Sequence, residues 1–307
     1  MPLLLQTFNK LCSKFDNHHH RRGCKASFSV SRLQAFEDDV SSCLNQLLLS
    51  TSDSKSLSFR WLLQLLQGLI PIIHQAFAKL VVDLEYPVGK WGADLVDGYM
   101  NYSLNLLDLL NSISFSLTQL GNSRVSLSYA LSVIHSSPSM AVSRLKPIVL
   151  KRDFQGLEIR GNVKEQRKGC SGGEWAIERA LTTMEGIGYW VCGIVISGCE
   201  GDSTAYLEMR KLAAGVAVPA FKALDSVILA VVSKNGSIPE EVEEVNAAAE
   251  MIIGGSSSSG EAVEEMGRRL GRLEKTVEAL GKEVDGRFSE VLDGRSRLLD
   301  VFRQPKH

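Results

Sequence analysis

Few stretches of this 307-residue chain carry reactive side chains at spacings that chemistry demands. GCSGGEW, residues 169–175, places Cys170 and Ser171 in a glycine-rich turn ahead of a helical pattern, where free amides at a helix N-terminus can hold an anion. The lysine and Ser/Thr of a phosphate loop are absent, as is the strand context of a dinucleotide fingerprint, so the stretch reads as a helix entrance. No histidine and acid can be assigned to Cys170 or Ser171, which argues against nucleophilic catalysis there. His18, His19 and His20 form a run able to bind a metal, but no partner ligands follow at fixed spacing, and a solvated polar tract is the preferred reading. The cysteines at 12, 24, 43, 170, 192 and 199 include no C-x-x-C pair, and no secretory signal is recognised. Neither a disulfide framework nor a zinc site is expected, and a reduced intracellular compartment fits. His74, beside an apolar helical face, reads as a packed histidine rather than a proton carrier.

The elements that must carry these residues are helical. Leu-rich spacing of three and four recurs, and β-branched alternation is rare. The fold class expected is all-α, an elongated helical bundle with long amphipathic helices and a C-terminal heptad-patterned helix. A net charge of -1 gives no global basic field of the kind that drives non-specific nucleic-acid binding, so no nucleic-acid partner is expected.

Four regions follow. Residues 1–32 carry Lys10, Lys14, Arg21, Arg22, Lys25 and Arg32 against the single acid Asp16. They form a basic N-terminal arm, a contact for anionic lipid, or a transit segment. Residues 33–135 form an N-terminal helical region. Its first helix runs from Leu33 through Phe36, Val40, Cys43 and Leu47; its second starts near Ser58 and should kink at Pro71. Its third carries a stripe from Val96 through Tyr99, Leu106, Ile113 and Leu120 to Ile134, as one helix or two jointed at Gly121. Asp97, Asp108 and Asn111 lie off or beside that stripe. Residues 136–173 read as a solvated basic linker, and 174–302 as a C-terminal helical region with a flexible polar linker at 254–260. Within that last region, Pro219 marks a joint and Ser237–Glu240 has the S-x-x-E form of a capping box.

GIGYWVCGIVISG, residues 186–198, is the stretch most like a membrane span. Crossing a bilayer takes about 20 apolar residues, and this run falls short of that. It is read as a core helix with a close helix contact at Gly193. From Val263 onward, heptad a and d positions are apolar until Arg287 and Gly294 interrupt the seam, and packing within the chain is favoured over pairing with another.

LVVDLEYPVGKW, residues 80–91, followed by VDGYMNYSLNLLDLLNSI, residues 96–113, resembles the plant BYPASS family, which is related to the ROH proteins. KEVDGRFSEVLDGRSRLLD, residues 282–300, resembles the family's closing helix, as do Trp61 and His74 in the second helix. Pro71 departs from the family's uninterrupted helix, and residues 136–260 diverge. The resemblance implies a non-enzymatic helical protein of plant growth control, with no catalytic residue, cofactor or metal to carry over. Family members are associated with restraining a root-derived mobile signal that arrests shoot growth, and ROH-type relatives with Exo70 subunits of the exocyst. The expectation is therefore a helical interaction module. Its candidate interaction or motif residues are Trp61, His74, Asp83, Pro87, Trp91, Asp97, Tyr99, Asp108 and Asn111. Two alternatives stand: an Exo70-binding peripheral adaptor, with basic segments 1–32 and 144–168 on an anionic membrane surface, and a small-molecule-binding protein or enzyme with a pocket around His74, Trp91, Asp97 and Tyr99. The expected location is cytoplasmic with peripheral membrane contact, or the chloroplast.

Overall fold

The computed structural model describes residues 25–51, 56–151, 154, 156, 159–160, 172–254 and 260–303. Among them are nine α-helices and no strand: α1 (Lys25–Thr51), α2 (Phe59–Asp83), α3 (Ala93–Ser132), α4 (Pro138–Arg144), α5 (Gly172–Glu200), α6 (Thr204–Leu212), α7 (Pro219–Asn235), α8 (Glu240–Ile253) and α9 (Gly260–Arg303). The all-α expectation holds. At a rise of 1.5 Å per residue, α3 and α9 are each about 60 Å long or slightly more, and they pack against one another. The run His18–His20, Cys170, Ser171 and the linker at 255–259 lie outside the described residues.

The stretch 186–198 sits in the C-terminal half of α5, and from Gly186 to Glu200 that helix is buried on every side. Its buried residues include Ile187, Trp190, Val191, Ile194, Val195 and Ile196, which together leave no solvent face. The surrounding surface comes from α1, α2, α3 and α6. The helix has 29 residues, so it is long and apolar enough to cross a membrane by length and composition, contrary to the expectation that the run is too short. In this fold, however, 89% of its most apolar window is buried against protein. The second helix that passes the same test, α2, is 56% buried over its window. The helical regions expected at 33–135 and 174–302 thus contribute to one shared core.

Glycines set how closely α5 is approached. A Cβ on Gly193 would stand 2.8 Å from the Met209 side chain and 2.9 Å from the Ala205 carbonyl oxygen, so α6 crosses α5 in direct backbone contact, as expected at this residue. A Cβ on Gly198 would meet Leu62 of α2 at 2.5 Å.

The helix starts differ from the sequence reading at two places. α1 already covers Lys25–Arg32, inside the segment read as an arm, where Arg32 stacks over Phe28 and bonds Asp83 of α2 at 3.3 Å. α2 starts after Ser58, as expected, and runs on through Pro71; Ser58 caps it by accepting from the Trp61 N–H at 3.1 Å. The capping box at Ser237–Glu240 does not form. α8 starts after Pro239 with no side-chain cap, and Ser237 Oγ is buried without a hydrogen-bond partner. The reason is tertiary. Glu240 N–H donates to Leu57 O at 2.9 Å, and the Glu241 carboxylate accepts from Phe59 and Arg60 N–H at 2.9 and 3.3 Å. An acid of α8 therefore caps α2, where orphan amides and the helix dipole favour it.

The third helix is one 40-residue helix with no joint at Gly121. The heptad seam of α9 is used inside the chain: Met266, Leu270, Leu273, Leu280, Val284, Val291 and Leu298 are buried against α2, α3 and α8.

Gly193→Ala should destabilise the fold by about 1–3 kcal/mol, because the backbone of α6 must move aside. Gly68→Ala, in α2 with nothing within 4 Å of the added carbon, should stabilise it by about 0.5–1 kcal/mol. Denaturant midpoints of the two variants check the opposite signs.

Candidate functional site: a buried aromatic and polar interior

The block 80–113 builds a corner and then an aromatic cluster. Glu85 adopts φ 50, a left-handed conformation that turns the chain out of α2. Pro87 then sets an extended backbone ahead of a short 3-10 turn, Val88–Lys90. Trp91 closes the corner by donating its indole N–H to Tyr86 O at 3.2 Å. Its ring meets Phe77 of α2 edge-on at 6.3 Å and Tyr99 of α3 at 6.1 Å. Tyr99 continues to Tyr102 at 6.4 Å, and Tyr102 to Tyr189 of α5 at 5.8 Å. Such pairs add about 0.5–1.5 kcal/mol each beyond their area.

His74 joins this cluster from α2. Its Nε2 is hydrogen-bonded to the Tyr102 hydroxyl at 2.6 Å. Burial, and secondarily the Arg287 guanidinium, push the His74 pKa down to about 4. Burial likewise raises Tyr99, Tyr102 and Tyr189 above the ordinary phenol value. These groups are neutral near pH 7, and they pack ring against ring. Of the four residues expected around a pocket, His74, Trp91 and Tyr99 converge in this cluster, whereas Asp97 faces outward on α3.

Arg287, the polar break in the heptad seam, is buried. Its guanidinium is 2.6 Å from carboxylate oxygens of both Glu283 and Glu290. The contact to Glu290 is a directed hydrogen bond; the Nε contact to Glu283 is an ion pair by distance but is off the hydrogen-bond line. About two turns further on, Arg295 donates to Met100 O and to Ser103 Oγ of α3. The seam is interrupted where α9 exchanges apolar packing for ion pairs along its own helix and polar contact with α3.

A second buried node joins α5, α6 and α7. Asp225 accepts from the Trp190 indole N–H at 2.9 Å, the Tyr206 hydroxyl at 2.8 Å and Arg210 Nε at 2.8 Å. Sequence reasoning missed it. The available signal was an acid placed one residue after Leu224 in the apolar spacing Phe221, Leu224, Ile228, a position that a solvated carboxylate seldom takes.

In the segment read as a solvated linker, the described residues between Leu145 and Arg160 form a strap without helix, pinned to the bundle. Leu145 and Ile148 are buried, and Leu150, Phe154 and Ile159 pack on the core. Asn246 of α8 grips both backbone groups of Ile148, accepting from its N–H at 2.6 Å and donating to its carbonyl at 3.0 Å. Asn105 of α3 does the same for Arg160, at 3.3 and 3.2 Å, and also donates to the Tyr189 hydroxyl. Between them Glu200, at the end of α5, accepts from Phe154 N–H at 3.2 Å and from Ser116 Oγ at 3.1 Å.

The remaining candidate residues are dispersed. Trp61 is buried at the start of α2, Asp83 bonds Arg32, and Asp108 bonds Arg160 of the strap at 2.8 Å. Asn111 is exposed. Cys43, Cys192 and Cys199 are buried free thiols, with burial raising the pKa of each and pushing that of Cys192 up to about 12, so they are poor nucleophiles. Among the described residues, no group of three or more His, Cys, Asp or Glu is placed to hold a metal.

Because the folded pKa of His74 lies below the unfolded value near 6.5, the unfolded chain binds the extra proton first. Stability is full above that value and falls as pH drops from about 6.5 toward 4, by up to about 3 kcal/mol from this residue. His74→Gln should flatten that part of a melting-temperature profile. Asp225→Ala should cost about 3–5 kcal/mol by leaving buried donors unpaired, and the partly exposed Arg210→Ala under about 1 kcal/mol; chemical denaturation ranks them.

Comparison with known proteins followed from these features. No protein-family model matches the chain, and no solved structure matches it. "Protein BPS1, chloroplastic" (BYPASS1) of Arabidopsis thaliana is 29% identical over 130 residues, 42% of this chain and 37% of that protein. "UPF0496 protein 4" of Oryza sativa, in both the japonica and indica subspecies, is 27% identical over 198 residues, 58% of this chain and 42% of the relative. The chain spans well under half the length of these relatives. The resemblance read at residues 80–113 and 282–300 thus meets a relative that carries the family's name, to which the chain is similar over 42% of its length.

Proposed function

We propose that this chain is a non-enzymatic, BYPASS-like regulator of plant development that acts by presenting helical surfaces to protein partners, with restraint of a root-derived mobile growth-arrest signal as its output. The observation that carries the interaction part is the outer face of α9. Its seam is consumed by α2, α3 and α8, yet Leu292 and Leu299, seven residues apart and so on one face, remain 45% and 36% exposed beside half-buried Phe288. A partner helix laying an apolar stripe along this face would cover them. The interior is consistent with this reading, since His74, the tyrosines and the thiols are held neutral and used in packing rather than poised for proton transfer.

A second reading makes the chain an exocyst adaptor that binds Exo70-type subunits at an anionic membrane. Exposed Lys146 and Lys151 on the strap favour it, because outward lysines gain from anionic headgroups. The name of the Arabidopsis relative, which is called chloroplastic, supports the chloroplast as the alternative to a cytoplasmic location.

Both readings predict a direct complex. Purified chain should retain an Exo70-type subunit on a column, and the double variant Leu292→Asp, Leu299→Asp should lose at least fivefold of that binding at an unchanged melting temperature. Equal retention by the two proteins removes the α9 face from the account; no retention by well-folded chain removes the Exo70 partner.

A further inference from the structure

The strap at 145–160 is held the way a receptor holds an extended peptide. Asn246 and Asn105 each satisfy the N–H and the carbonyl of one strap residue, and Glu200 takes the N–H of a third. All five contacts read main chain, which every sequence offers, so they fix an extended conformation without specifying which polypeptide adopts it. Sequence is read elsewhere. Leu145, Ile148 and Phe154 turn inward, while Lys146, Val149 and Lys151 are exposed.

The chain's own segment also fits imperfectly. Beside Leu150 lies a cavity of about 340 Å³, walled by Ser116, Gln119, Leu120, Asn122 and Ser123 of α3 and by Cys199 of α5. The pocket opens to solvent past Val149 and Lys151, and a larger side chain in place of Leu150 would gain dispersion contacts with its walls. The walls combine an apolar side with hydroxyl and carboxamide groups, which suits an aromatic ring with a polar tip.

We propose that the groove between α3, the end of α5 and α8 is a binding site for an extended peptide, occupied here in cis by residues 145–151, Phe154 and Arg160. Its partner ligand is an extended segment of another protein, with apolar residues at the spacing of Leu145, Ile148 and Phe154 and a tyrosine where this chain has Leu150. Such a segment reproduces the five main-chain bonds, fills the cavity and displaces the strap. This site is separate from the outer face of α9, so either stands if the other fails.

The test uses the full chain and two labelled synthetic peptides spanning residues 144–160, one with the chain's own sequence and one with Leu150→Tyr. Ile148→Asp in the protein should expel the strap, since it puts a charge into a buried apolar position. By fluorescence anisotropy, the expelled-strap protein should bind the peptides at least tenfold more tightly than the unaltered chain, the tyrosine peptide at least fivefold better than the native one, and added Asn246→Ala should reduce binding at least fivefold. A helical Ile148→Asp protein that binds neither peptide, or that binds a scrambled peptide equally, overturns the groove. Equal affinity for the two peptides overturns the tyrosine ligand. Should that variant not fold, hydrogen exchange on the unaltered chain decides: excess tyrosine peptide should speed exchange of the Ile148 and Arg160 amides, and unchanged exchange overturns displacement.

Discussion

The structure depends on burying the C-terminal half of α5, Gly186 to Glu200, on every side. A helical stretch with no solvent face must be wrapped, and here α1, α2, α3 and α6 pack around α5. That requirement explains why residues far apart in sequence share one core, and why small residues stand at the crossings. Gly193 and Gly198 allow α6 and Leu62 of α2 to approach closer than any side chain permits. Glycine lowers helix propensity, so these positions trade local stability for packing, and tertiary contact makes up the difference.

A core this large encloses polar groups, and most are paired, some across helices and some along one helix. Asp225 gathers three donors from α5 and α6; His74 meets Tyr102; Arg287 is flanked by two glutamates of its own helix. The same rule extends to the backbone. Glu241 of α8 caps α2, while two asparagines and Glu200 satisfy the strap. Polar contacts of this kind add little net energy when made and cost much when broken, so they select one arrangement of the helices among those that hydrophobic burial alone would accept.

The long helices and the all-α class were legible because spacings of three and four are dictated by the helix itself. The heptad seam of α9 and the close contact at Gly193 were readable for the same reason. What escaped was whatever depends on a partner distant in sequence. The S-x-x-E signature at 237–240 is a sound local pattern, yet α2 claims the Glu240 amide and the Glu241 carboxylate. The strap looked solvated because its charges were visible, whereas Leu145 and Ile148, an isolated pair around Pro147, make no repeating pattern and revealed their burial only in contact with the bundle. Of the candidate residues, those that converge, His74, Trp91 and Tyr99, do so because a proline corner folds α3 back on α2. Asp97 and Asn111, from the same block, point outward, since a motif fixes positions along a helix and not which face is buried.

The central claim is that α5 is the interior of a protein. Thiol labelling tests it most directly, because Cys192 and Cys199 lie within that helix and are buried. In a variant with Cys12, Cys24, Cys43 and Cys170 changed to serine or alanine, both thiols should react with a small alkylating reagent only as fast as the whole fold opens, with and without lipid vesicles. Rapid labelling in native buffer, or a change in labelling when vesicles are added while the fold remains intact, would contradict the account and place α5 against solvent or lipid.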